Sequence, residues 1–286
     1  VTGSAGRAAV TRLTAAQHHD AMAAAQQAQN RRIHGPETDF WGAVAHRFRA
    51  GPRRELDPFL AKLASFLEPD DVFVDAGGGA GRNCLPMALR CREVINIDPS
   101  AGMGREFLAS AEEAGIRNAR FIEADWLEAD VSGDVLLAAH VTYFVPQIVP
   151  FVEKLSSAAR RRAIIAVLTV PPPNQHAPFF ELVYGEERAL VPGPDHLVAV
   201  LHELRITPEV IDTGPASARR PLAQTREAAV ENELVQGWVR REDFERAREA
   251  ITKHFEELFV ETPQGFARRS GEGARELMIT WERVEH

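Results

Sequence analysis

Val72-Phe73-Val74-Asp75-Ala76-Gly77-Gly78-Gly79-Ala80-Gly81 joins a short apolar run to four glycines in five positions, and Arg82 to Arg90 then reads as a helix. An apolar run of this length fits a buried strand. Glycines 77, 79 and 81 let the backbone turn sharply and approach a ligand without Cβ interference. A glycine-rich turn between a strand and a helix is where an open α/β sheet binds ligands, beyond the carboxyl ends of its strands.

The same alternation continues outward from this turn. Glu93 to Asp98 reads as a second strand, Met103 to Ala114 as a helix, Ala119 to Ile122 as a third strand and Asp134 to Ala139 as a fourth. Pro146 to Ala159 reads as a helix and Ala163 to Val170 as the most apolar strand, while Glu209 to Ile211 and Leu277 to Trp281 supply two more. Strands alternating with helices imply parallel pairing, right-handed crossovers and a sheet covered on both faces. The expected fold is α/β, a doubly wound, mostly parallel seven-stranded sheet. Asp134 begins its strand, at the end away from the ligand, and is read as structural.

Two segments have no place in the bare sheet. Thr14 to Arg32 reads as a helix with Thr14 as N-cap, Gly35-Pro36 breaks it, and Asp39 can cap a second helix over Phe40 to Phe48. Leu56 to Leu67 is a third helix. Towards the other end, Phe179 to Glu186, His196 to Leu204 and Arg241 to Phe259 read as helices. The expected organisation is an N-terminal helical cap over 1–54, a ligand-binding core over 55–214, a helical insertion over 215–274 and a final core strand within 275–286.

Composition narrows the functional classes. The chain has 286 residues, 45% of them hydrophobic and 26% charged, as in ordinary globular proteins. No stretch approaches the ~20 apolar residues of a membrane helix, and Val1 to Arg12 lacks a basic-then-apolar leader, so a cytoplasmic enzyme is expected. A formal net charge of −8 opposes phosphate backbones and argues against nucleic acid. Arg160-Arg161-Arg162 reads as the solvated end of a helix, where cations suit the dipole. Cys84 and Cys91 are too few for a disulfide framework, and no His or Cys spacing suggests a metal.

The charge of the turn bears on its ligand. A dinucleotide fingerprint, counted from Gly77 and Gly79, wants a third glycine where Arg82 stands. Asp75 next to the turn would oppose a pyrophosphate but attract a ligand carrying an ammonium and a sulfonium. The D-x-G-x-G-x-G pattern at Asp75, Gly77, Gly79 and Gly81 resembles the first motif of class I S-adenosylmethionine-dependent methyltransferases. Asp98 at the end of the second strand, and Asp125-Trp126 after the third, extend the resemblance.

The resemblance implies a Rossmann-like methyltransferase core. It places Asp75, Ala76, Gly77, Gly79 and Gly81 against S-adenosylmethionine, Asp98 on the ribose hydroxyls, and Asp125 and Trp126 at the adenine. His140, at the end of the fourth strand, is implied beside the methyl position; it is the candidate general base, its ordinary pKa of ~6.5 suiting proton acceptance near neutrality, or else a cofactor contact. Trp41, Tyr143 and Tyr184 are candidates for the acceptor pocket, with Phe40, Phe48, Phe179, Phe180 and Trp238 as further aromatics that either line it or anchor the cap. The expected reaction is methyl transfer to a small organic acceptor. An NAD-dependent reductase and a non-catalytic cofactor-binding module of the same fold remain the alternatives.

Overall fold

Val72–Ala76 is buried at every position because it lies at the middle of a parallel sheet covered on both sides. A computed structural model describes residues 13–35, 39, 41–216 and 222–283. From this strand, β1, the chain enters a one-turn helix α3 (Cys84–Met87), then β2 (Glu93–Asp98), α4 (Ala101–Glu113), β3 (Ala119–Glu123), β4 (Gly133–Ala139), α5 (Ile148–Ala158) and β5 (Ala159–Leu168). Ahead of β1 stand α1 (Ala15–His34), a 3-10 segment (Gly42–Phe48) and α2 (Pro58–Ala64). Beyond β5 come α6 (Pro172–Gln175), α7 (Ala177–Tyr184), α8 (Pro194–Glu203), β6 (Glu209–Pro215), α9 (Arg226–Leu234), α10 (Phe244–Lys253), α11 (Phe255–Leu258), β7 (Phe259–Thr262), β8 (Gly265–Arg268) and β9 (Arg275–Glu282).

The main sheet has seven strands in the order β3-β2-β1-β4-β5-β9-β6, the expected doubly wound architecture. Strands β1 to β5 pair in parallel, and β9 enters antiparallel between β5 and β6. The order reverses beside β1, which puts the glycine turn at the topological switch point.

One apolar cluster fills the face holding Val74, Leu136, Ile165 and the inner sides of α5 and α8; the other holds Phe73, Leu137, Phe107 and α2. The helix α1 belongs to the first face. Thr14 caps it as expected, its hydroxyl accepting from Gln17 N–H while Gln17 Oε1 accepts from Thr14 N–H. The Glu203 carboxylate of α8 accepts from Ala15 and Ala16 N–H at 2.7 and 3.2 Å, satisfying two further donors of the same helix end.

Four expectations are corrected. Arg160, Arg161 and Arg162 do not close a helix: α5 ends at Ala158, and they begin β5. They are ion-paired to Asp134, Asp71 and Glu282, so the run fastens the strand ends rather than standing free in solvent. The helix expected over Arg82 to Arg90 shrinks to a single turn holding Pro86. The helix expected over Arg241 to Phe259 is divided at His254 into α10 and α11 and gives way to the β7–β8 hairpin, which the sequence reading lacked. Phe179, Phe180 and Trp238 neither line a pocket nor anchor the cap on the sheet, because they are buried in a separate core built with Ile251, Phe255 and Phe259.

Phe40 lies outside the described residues. Asp39, expected as a cap, accepts a 2.8 Å bond from Gly42 N–H and holds the Gly42–Phe48 segment. No helix among the described residues is long and apolar enough to cross a membrane.

Candidate active site

The glycine turn owes its shape to what lies beneath and around it. Gly77, Gly79 and Gly81 have φ of 74°, 55° and 81°, a region that L side chains seldom adopt. A Cβ on Gly77 would meet Val141 at 2.5 Å, so the end of β4 abuts the turn. A Cβ on Gly78 would meet Asn96 Oδ1 at 2.3 Å and Asp75 Cγ at 2.6 Å, which locates the Asp75 carboxyl under the loop. Asn96 Nδ2 donates to Gly79 O at 2.8 Å. Asn96 was not singled out in the sequence, although an amide inside the apolar run of β2 was a visible signal.

The position of Asp75 corrects the charge argument for the ligand. Its side chain is fully buried, not at the mouth of the turn. Burial, with the nearby Asp98 adding to it, raises its pKa to about 7, so much of its charge is withdrawn near neutrality. Repulsion of a pyrophosphate by Asp75 is therefore weak, and the nature of the ligand rests on other residues.

Asp98 is the strongest of these. Its Oδ2 accepts from Gly79 N–H at 3.0 Å and its Oδ1 from Ser100 N–H at 2.9 Å, so the carboxylate ties the glycine turn to the start of α4. Each oxygen keeps a second lone pair for a ligand hydroxyl. Burial raises the Asp98 pKa against the opposing pull of those two N–H groups. Opposite Asp98 in the parallel register is Glu123, which brings exposed Asp125, two residues on, to the same edge of the sheet. Asp125 Oδ1 accepts from Leu127 N–H at 2.8 Å. Trp126 turns inward: it is buried, its ring tilts against Phe151, and its Nε1 lies 3.4 Å from Phe151 O. Ala76 is likewise a core side chain.

At the end of β4 the chain bends on His140, which has φ 62° and whose N–H donates to Ala166 O at 2.8 Å. The imidazole Nε2 lies 3.1 Å from Glu276 Oε1 on β9, and Nδ1 lies 3.4 Å from the Tyr143 hydroxyl. Glu276 escaped the sequence reading because its strand was expected to begin one residue later, and its partner is distant in the chain. Tyr143, expected near the acceptor, is instead a core residue: it is 1% exposed and its hydroxyl accepts from Leu168 N–H at 2.6 Å. Burial pushes its phenol well above the usual range.

The front cap lies over the turn. Ala45 packs with Ala80 and Met103, and Arg82 sits over the Phe48 ring at 5.8 Å. Trp41 is 40% exposed and meets Phe48 and Phe144 edge-on, at the rim beside the β4 loop. Tyr184 is held elsewhere, in the rear cap, where its hydroxyl donates to Asp243 Oδ2 at 3.2 Å and accepts from Arg240 N–H.

The residues that converge at one sheet edge are therefore the glycine turn, Asp98, Asp125, His140 and Glu276. They fit S-adenosylmethionine: the turn offers close backbone approach, and Asp98 and Asp125 offer carboxylate acceptors to hydroxyl and amino groups. Among the described residues no cluster of three His, Cys, Asp or Glu side chains is placed to hold a metal.

Known proteins share this sheet. Residues 74–167, from β1 through β5, match the family described as Methyltransferase domain. The YcgJ protein of Bacillus subtilis superposes with a TM-score of 0.54 at 12% identity, covering 79% of this chain and 98% of that one. A methyltransferase of Geobacter sulfurreducens in complex with S-adenosyl-L-homocysteine gives 0.51 at 15% identity, covering 83% and 95%. A 23S rRNA (uracil(1939)-C(5))-methyltransferase of Stenotrophomonas maltophilia is 35% identical over 71 residues, which are 24% of this chain and only 16% of that protein's length. Residues 74–167 are thus similar to a methyltransferase domain, on a sheet of the Rossmann-like methyltransferase fold.

Proposed function

We propose that the protein transfers a methyl group from S-adenosylmethionine to a small organic acceptor. The observation that carries this reading is the bond from Gly79 N–H to Asp98, which couples the glycine turn to a carboxylate with free lone pairs at the switch point of the sheet. The net charge of −8 favours a small acceptor over a phosphate backbone.

The bound cofactor supplies an already activated methyl group, so the protein's part is mainly alignment and exclusion of water, effects worth ~7–11 kcal/mol in well-oriented systems. Asp98 and Asp125 hold the nucleoside, and the backbone of Gly77 to Gly81 takes the amino-acid part. His140 accepts the acceptor's proton, and the Glu276 carboxylate, 3.1 Å from Nε2, orients the imidazole and stabilises the charge it gains. Trp41 forms the exposed aromatic wall of the acceptor entrance.

Isothermal titration with S-adenosylhomocysteine tests the reading. One molecule per chain is the expected result, and no heat at millimolar ligand would overturn it. A panel of small O-, N- and C-nucleophiles then identifies the acceptor by transfer of labelled methyl.

A further inference from the structure

Arg188 is 92% buried yet its Nε and Nη1 have no acceptor. It lies in the segment between α7 and α8, which is pinned on both sides of it. Gln29 of α1 donates to Glu187 O at 2.9 Å and accepts from Ala189 N–H at 2.8 Å. Asn174 donates to Val191 O at 3.0 Å and accepts from Val191 N–H at 2.9 Å. The guanidinium rests 4.9 Å above the Phe180 ring.

Its surroundings add donors and withhold acceptors. The charge of Arg188 reaches His176, which burial and the cations Arg268 and Arg188 keep neutral, at a pKa of about 4. Trp238 stacks on His176 at 6.0 Å, and its buried Nε1–H also lacks an acceptor. The nearby carboxylates are engaged by other groups: Glu233 accepts from Arg268 Nε at 2.6 Å and contacts His176, Glu186 pairs with Arg32, and Asp243 pairs with Arg240 and Arg246. A buried cation whose Nε and Nη1 lack acceptors is costly. Two buried guanidinium N–H groups without acceptors call for an oxyanion.

We propose that Arg188 anchors an anionic group of the acceptor, a carboxylate or a phosphate. α1 links the anchor to the end of β4: Gln29 clamps the Arg188 segment, and two residues earlier Gln27 Nε2 donates to Phe144 O at 2.7 Å, just past His140. That the anion belongs to the methyl acceptor rests on the methyltransferase reading; the anion site itself does not. The two amide clamps hold the segment before binding, which reduces the ordering cost.

The test is thermal unfolding of the full chain with benzoate or inorganic phosphate as probes, at about 50 mM, enough to stabilise a site of millimolar Kd. The wild-type Tm is expected to rise by at least about 2 °C with one or both probes. Arg188→Met is expected to show no rise, and to melt without anion at or above the wild-type temperature, because a buried cation whose Nε and Nη1 lack acceptors has been removed. Arg188→Lys should keep a weakened response. A response to benzoate alone assigns a carboxylate, and to phosphate alone a phosphate. Equal shifts in wild type and Arg188→Met, or no wild-type shift with either probe, overturn the proposal. S-Adenosylhomocysteine titration of the same proteins separates the two ideas: if it fails while the Arg188-dependent shift persists, the methyltransferase reading falls and the anion site stands.

Discussion

His140 Nε2 lies 3.1 Å from Glu276 Oε1, joining the end of β4 to a strand that follows much later in the chain. The carboxylate is buried, 4% exposed, and faces an imidazole at the sheet edge where ligands bind. Glu276→Gln keeps the shape and removes the charge. Turnover is expected to fall ~10–10²-fold while S-adenosylhomocysteine affinity stays within about threefold. Equal losses in both would mark Glu276 as structural.

The same histidine gives a second expectation, since its φ of 62° is unfavourable for any residue with a Cβ. His140→Ala and His140→Gly lose the same imidazole contacts, but glycine relieves the backbone. In urea titrations the glycine variant should be more stable than the alanine variant by about 1 kcal/mol. Both should lose ~10²–10⁴-fold in turnover if the imidazole is the base.

Asp98→Ala removes the acceptor of Gly79 N–H and Ser100 N–H together with the carboxylate proposed for the ribose. Calorimetry should show S-adenosylhomocysteine binding weakened at least about tenfold. An unchanged Kd would reject the ribose assignment.

Asp75 provides a pH signature. Its folded-state pKa is raised from 3.8 to about 7, so the native state keeps a proton that the unfolded chain has released. The stability this gives is complete below about pH 4 and disappears as pH rises through about 7, with a slope of up to ~1.4 kcal/mol per pH unit. Asp75→Asn has no such proton. The stability of the variant relative to wild type should therefore increase from pH 4 to pH 8; a flat difference across that range would show a charged carboxylate at every pH.

Gly102 supplies a mechanical test of the front cap. A Cβ there would meet Gly42 Cα at 2.4 Å, backbone against backbone. Gly102→Ala should lift the Gly42–Phe48 segment from α4 and weaken cofactor binding several-fold, with circular dichroism of the sheet unchanged. Unchanged affinity would detach this segment from the cofactor site.

The parts of the molecule visible in the sequence are those fixed by local chemistry. The strand β1, its glycine turn and Asp98 were legible because short apolar runs, positive φ and strand-end carboxylates leave marks at fixed spacing. Thr14 and Asp39 were legible as caps for the same reason. What escaped reading depends on partners distant in the chain. Arg161 looks like a helix terminus until Asp71 is placed beside it, and Glu276 looks like a strand-edge acid until His140 meets it. The helical spacing of Arg241 to Phe259 was real, but it carried no sign of the break at His254 or of the Ala223–Phe266 bridge that steadies the hairpin. Asp75 stands beside the turn as read, but its burial was not legible, because a sequence gives the neighbour and not the depth.

The placement of β9 between β5 and β6 has a consequence for how the protein is made. On the ribosome β6 emerges well before β9, so it has no sheet neighbour until the intervening helices and hairpin have been synthesised. During that interval β5 and β6 each present an open edge able to recruit foreign strands. Delayed arrival of the strand next to the edge makes this a nascent chain that benefits from a chaperone, and slowing elongation over the cap would lengthen its exposure.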